Sequence, residues 1–104
     1  MAEVTAISPE EVKARLESGE ELYMIDVRED EEIAEGMIPG AKHIRMGDIP
    51  DSLDRLDNDK EYIVICRSGN RSGRVCSFLA EHGYTVVNME GGMLSWTGET
   101  ECKK

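Results

Sequence analysis

Apolar positions along the chain come in short runs, some with the period of a strand and others with that of a helix. Val4 to Ile7 is a brief apolar stretch of strand character. Ser8-Pro9-Glu10-Glu11 then predicts a helix start, with Ser8 as cap, Pro9 in the first turn and Glu11 placed to close a capping box. Val12 and Leu16 lie one turn apart on its inner face, and Gly19 stops it. Leu22 to Ile25 has strand length and ends at Asp26-Val27-Arg28. An acidic segment, Glu29 to Glu35, predicts one or two helical turns with its charges on a solvated face. Ile38 to Ala41 is a turn and His43-Ile44 a very short strand. Ile49, Leu53 and Leu56 predict a short amphipathic helix, closed by the turn at Asn58-Asp59. Tyr62 to Ile65 is apolar throughout, as a strand covered on both faces should be. The following helix runs to His82, with Val75, Phe78, Leu79 and His82 at helical spacing and Gly83 as its stop. Tyr84 to Asn88 is the last strand, and Gly91-Gly92 opens a short helix carrying Leu94 and Trp96.

Alternating strands and helices predict the α/β class with a mainly parallel sheet and right-handed crossovers. In such sheets ligands bind beyond the carboxyl ends of the strands. Asp26-Val27-Arg28, the segment from Cys66 onward and the Gly91-Gly92 turn all fall at such ends, so one rim gathers the unusual residues.

Length sets one domain, expected over residues 1–98, with 99–104 a polar, frayed tail. The chain shows no internal repeat or low-complexity tract. With 22 acidic residues against 12 basic ones, the net charge of −10 argues against nucleic acid and against a polybasic membrane surface. No apolar run approaches a spanning helix, and Met1-Ala2-Glu3-Val4 lacks a signal pattern, so the expected location is cytoplasmic. Cys66, Cys76 and Cys102 are odd in number and form no CxxC pair, which leaves no disulfide framework or Cys-rich zinc site. Two histidines, His43 and His82, are too few for a His-based metal site without carboxylate help, and no cofactor is expected.

The distinctive segment is Cys66-Arg67-Ser68-Gly69-Asn70-Arg71-Ser72. A thiol stands where a buried strand gives way to a helix N-terminus, whose unpartnered amides and dipole favour thiolate over thiol. Arg-Ser-Gly-Asn can curl into a nest of inward N–H groups that receives an anion. From Tyr62 through Ala80 there is no Asp or Glu, while Arg67, Arg71 and Arg74 are present. The nest therefore lies in a positive island on an acidic protein.

This segment resembles the active-site loop of rhodanese-like sulfurtransferase domains. Asp26-Val27-Arg28 is similar to that family's Asp-Val-Arg, Glu35 to Ala41 to its Gly-His-Ile-Pro-Gly-Ala segment, and Gly91 to Trp96 to its Gly-Gly-x-x-x-Trp ending. The likeness runs from about Ile7 to Trp96 and departs at Met37, where His is usual, and at Arg45, where Pro is common. It implies a five-stranded, mostly parallel sheet flanked by helices on both faces. It also implies a Cys66 persulfide, formed from a small sulfur donor such as thiosulfate or a persulfide. A thiol, a cyanide-like acceptor or a sulfur-carrier protein would then take up that sulfur. The loop amides with Arg67 and Arg71 would hold the donor anion.

Asp26 and Arg28 are expected to tie neighbouring loops together, with Glu35 as a partner for Arg28. Cys76 reads as a buried small hydrophobe, a second redox thiol being the alternative, and Cys102 as an exposed thiol. Trp96 is expected to pack over the core near the site. Two rival functions are weighed. A cysteine phosphatase needs a loop around three phosphoryl oxygens, commonly Cys-x5-Arg, whereas four residues separate Cys66 from Arg71 here. A non-catalytic rhodanese-type interaction module would ordinarily lack the cysteine.

Overall fold

A computed structural model describes residues 4–101. Five strands form one sheet: β1 (Thr5–Ile7), β2 (Tyr23–Asp26), β3 (Lys42–His43), β4 (Glu61–Ile65) and β5 (Thr85–Met89). Their spatial order is β1-β5-β4-β2-β3, and every neighbouring pair is parallel. The helices are α1 (Pro9–Glu17), the single-turn α2 (Asp30–Ile33) and α3 (Asn70–Glu81). Ser8 caps α1 as its spacing predicts, its hydroxyl accepting from the Glu11 amide at 3.1 Å.

The continuous apolar character of β4 follows from its central place. Ile63 and Ile65 join Val12, Met24, Val87 and Met89 in the core beneath α1. Tyr62, Val64 and Cys66 alternate to the other face and pack with Val75, Cys76 and Leu79 of α3. Burial of each such aliphatic side chain stabilises the fold by about 1.5–3 kcal/mol, which anchors the strand end that carries Cys66. The two-residue period thus assigns the thiol to the α3 face.

The two short helices expected in the loops are present in 3-10 form, the first over Pro50–Arg55. Its neighbours draw it tight: the Ser52 hydroxyl donates to Asp48 O at 2.8 Å, and Tyr84 Oη donates to Leu53 O at 2.9 Å. The turn from Gly91-Gly92 is likewise 3-10, over Gly92–Ser95. The tail is not frayed as far as it is described. Glu101 forms an antiparallel bridge to Met37 with two backbone bonds of 2.8 Å, and Trp96 Nε1 donates to Glu99 O at 3.0 Å. Cys102 lies outside the described residues. No helix among the described residues is long and apolar enough to cross a membrane.

Candidate active site

Cys66 directly follows β4 and is fully buried. The chain must turn from strand to helix within four residues, and Gly69 makes this possible with φ +100° at the N-cap of α3. That conformation aims the Gly69 N–H at Cys66 Sγ, at 2.9 Å. From the first turn of α3 the Ser72 hydroxyl reaches the same sulfur at 3.3 Å. Burial pushes the Cys66 thiol up. Hydrogen bonding by the Ser72 hydroxyl and by the amides of Ser72, Gly69 and Ser68 outweighs that, and the pKa falls below the ordinary cysteine value.

The carbonyl side of the loop is held by the 3-10 turn after β5. The amides of Met93 and Leu94 donate to Cys66 O and Arg67 O at 2.9 and 3.0 Å. Gly92 lies so close beneath, at φ +57°, that a Cβ there would fall 2.6 Å from Arg67 O and also against Cys66 O. Gly92 is thus a packing requirement of the loop, whereas a Cβ at Gly91 would meet Ser95.

Ser72 and Arg71 face partners that the sequence reasoning did not select. Ser72 is buried and carries one hydroxyl proton, yet it stands between two acceptors, Cys66 Sγ and Asn88 Oδ1. Asn88 on β5 also donates from Nδ2 to Gly69 O at 3.2 Å. Arg71 turns its guanidinium to Glu32 of α2, with Nη1–Oε1 at 2.8 Å and Nη2–Oε2 at 2.7 Å. That bidentate contact holds the Glu32 carboxyl down at about 2, against burial; the Glu29 amide and the charges of Arg71 and Arg28 add to it. The acidic segment is therefore not merely a solvated face. The only signal in the chain was the Glu29–Glu32 spacing of a helix cap, since Glu32 and Arg71 lie far apart in sequence.

Asp26 and Arg28 do join neighbouring segments, but Glu35 is not the partner. The Arg28 Nε and Nη2 bind Asp26 at 2.9–3.1 Å, and Nη2 also donates to Gly36 O at 2.7 Å. Both side chains are buried; Asp26 and the Gly36 carbonyl take the Nε and Nη2 protons of the guanidinium, and Glu35 is left exposed. His43 Nε2 donates to Arg28 O at 2.7 Å, which fixes β3 to the same corner. Ser68 and Asn70 are exposed, as is Arg67, which makes no side-chain hydrogen bond or ion pair among the described residues. Trp96 packs half-buried against the core on the α1 face. Cys76 lies deep in α3, where burial, and secondarily the charge on Cys66, push its thiol up to about 12.

This arrangement can generate a thiolate, cradle the anion it becomes, and exclude a second reactive thiol from the same core. Residues 8–99 match the rhodanese-like domain family. The chain is 60% identical over 101 residues to "Putative sulfurtransferase YtwF" of Bacillus subtilis (strain 168), covering 97% of this chain and 98% of that protein. It is 33% identical over 97 residues to "Thiosulfate sulfurtransferase GlpE" of Pseudomonas fluorescens (strain SBW25), covering 92% and 87% of the two chains. The crystal structure of a rhodanese-like domain protein from Staphylococcus aureus superposes with a TM-score of 0.91 at 39% identity, over 97% of this chain and all of that one. With its loop, its sheet order and these likenesses together, the chain belongs to the rhodanese-like domain family, among relatives named as sulfurtransferases.

Proposed function

We propose that the protein is a sulfurtransferase that carries a sulfane sulfur on Cys66, taken from thiosulfate or a persulfide. The observation that carries this reading is the Cys66 Sγ accepting from the Gly69 amide and the Ser72 hydroxyl at the start of α3. The thiolate attacks the outer sulfur of the donor. A new S–S bond forms to Cys66, the donor S–S bond breaks, and its electron pair leaves with sulfite or with an alkyl thiolate. An acceptor thiolate then attacks the terminal sulfur of the Cys66 persulfide and restores the Cys66 thiolate, with no net oxidation in either step. The loop amides and Ser72 stabilise the charged sulfur at each stage, and Arg67 meets the incoming anion. Acceptors of this chemistry are a small thiol, cyanide, or a thiol-bearing sulfur-carrier protein. A cytoplasmic setting, where thiols stay reduced, suits such a nucleophile.

A phosphoryl-transfer reading has less support. The four-residue spacing gives a narrow nest, and the Arg71 guanidinium that would bracket phosphoryl oxygens is held by Glu32. Intact mass spectrometry after incubation with thiosulfate or an alkyl persulfide tests the reading. The expected result is a gain of one sulfur mapped to Cys66, absent in Cys66→Ser, whose turnover falls on the order of 10³-fold or more. Turnover that persists in Cys66→Ser overturns it.

A further inference from the structure

Beside the loop lies a cleft of about 270 Å³, bounded by Arg28, Glu32, Glu35 and Arg67 with Met93 and Leu94 as its apolar wall. The charges around it cancel. Arg28 is matched by buried Asp26, and Arg71 by Glu32 in a two-pronged contact at 2.7 and 2.8 Å. Glu35 and Arg67 add one charge of each sign. Loop sequence alone suggests a positive mouth; folding brings Glu32 across to neutralise it. Leu94 is 65% exposed, a large apolar side chain open to solvent next to the loop. The whole chain carries −10, so a small dianion gains little from the long-range field either.

We propose that Glu32 is a specificity-determining residue: by engaging Arg71 it leaves this cleft without net charge and so favours alkyl persulfide donors over dianionic thiosulfate. The inference rests on the sulfurtransferase reading and names the donor class for that site. An alkyl persulfide carries at most one negative charge and brings an organic group that Met93 and Leu94 can cover. Thiosulfate brings two charges and no apolar body, and its departing sulfite also keeps two. A unit charge on the order of 8 Å from a dianion is worth about fivefold in affinity even at the dielectric of water.

The test compares kcat/KM for thiosulfate with that for 2-hydroxyethyl persulfide generated in situ. The wild-type protein should favour the persulfide. In Glu32→Gln, which keeps the side-chain shape and frees the Arg71 charge, the thiosulfate-to-persulfide ratio should rise about two- to threefold, because the persulfide monoanion shares half of the free-energy gain. The change should appear in the thiosulfate KM and shrink with added salt. Glu32→Asp keeps the charge and should hold the ratio near the wild-type value, whereas a purely structural role would move both variants alike. Arg71→Gln, which leaves Glu32 unpaired, should lower the same ratio and gives an independent reading if Glu32→Gln folds poorly. An unchanged ratio in Glu32→Gln and Arg71→Gln, or an equal shift in Glu32→Asp, overturns the inference. Failure of both donors to load Cys66 in the wild-type protein would instead overturn the sulfurtransferase reading itself.

Discussion

Cys66 and Cys76 are both fully buried and share one hydrophobic cluster, yet their thiols are driven in opposite directions. Cys66 falls below the ordinary cysteine value, while Cys76 rises to about 12. Burial acts against the thiolate at both. What separates them is the supply of directed donors. At Cys66 the backbone is changing from strand to helix, and amides that no helix carbonyl has claimed are free to point at sulfur. At Cys76 the amides of α3 are consumed by the helix, and nothing on the inner face of α3 offsets desolvation. Reactivity here is a property of where the chain bends.

That contrast can be broken from the loop side. Gly92→Ala should have the largest effect, because a Cβ at φ +57° meets Arg67 O and Cys66 O. We expect a loss of about 2–4 kcal/mol in stability, read by urea titration. Alkylation of Cys66 in the surviving fold should shift towards higher pH. Ser72→Ala is gentler. It removes one donor to Sγ, worth about 1 kcal/mol, so the thiolate fraction near neutral pH should drop about fivefold. Alkylation rates followed against pH by mass spectrometry check this; an unchanged profile would mean that the amides alone hold the charge.

The smallest effect comes from the Cys76 side. A thiol raised to about 12 holds its proton in the folded state where an unfolded cysteine, near 8.5, has lost it. Stability must therefore fall as pH rises through that window. Cys66 has the opposite sign. Its lowered value adds stability as pH rises from its folded value and levels off about one unit above 8.5, beyond which only the Cys76 decline remains. Cys76→Ala should flatten that decline, by under about 1 kcal/mol at pH 9, while costing about 1 kcal/mol at neutral pH through the lost sulfur atom. Denaturant midpoints measured from pH 7 to pH 10 distinguish the two contributions.

Much of this contrast was legible before folding. Ser8, Pro9 and Glu11 mark a helix start through contacts three residues apart, and the apolar run Tyr62 to Ile65 has the length and β-branched content of a covered strand. Cys66 followed by Gly69 at a strand–helix junction was legible for the same reason: its donors are its own sequence neighbours. Glu32 with Arg71 and Asn88 with Ser72 were not, because sheet order brings together residues that no local period relates. The Arg28 partner was misread for a related cause. Glu35 was the nearby carboxylate, but backbone Gly36 O offered an acceptor that side-chain identity does not reveal. The 3-10 form of Pro50–Arg55 also depends on a distant group, the Tyr84 hydroxyl on Leu53 O.

The sheet order also has a consequence for how the chain folds. β1, the first strand in sequence, pairs with β5, the last, through Thr5–Val87, Ala6–Asn88 and Ile7–Met89. Closing that pairing encloses almost the whole chain in one loop, so its entropic cost falls due only after the rest of the sheet can offer an edge. During synthesis β1 emerges first and has no partner until β5 has been made. A nascent chain ending before Thr85 therefore leaves β1 without its partner strand.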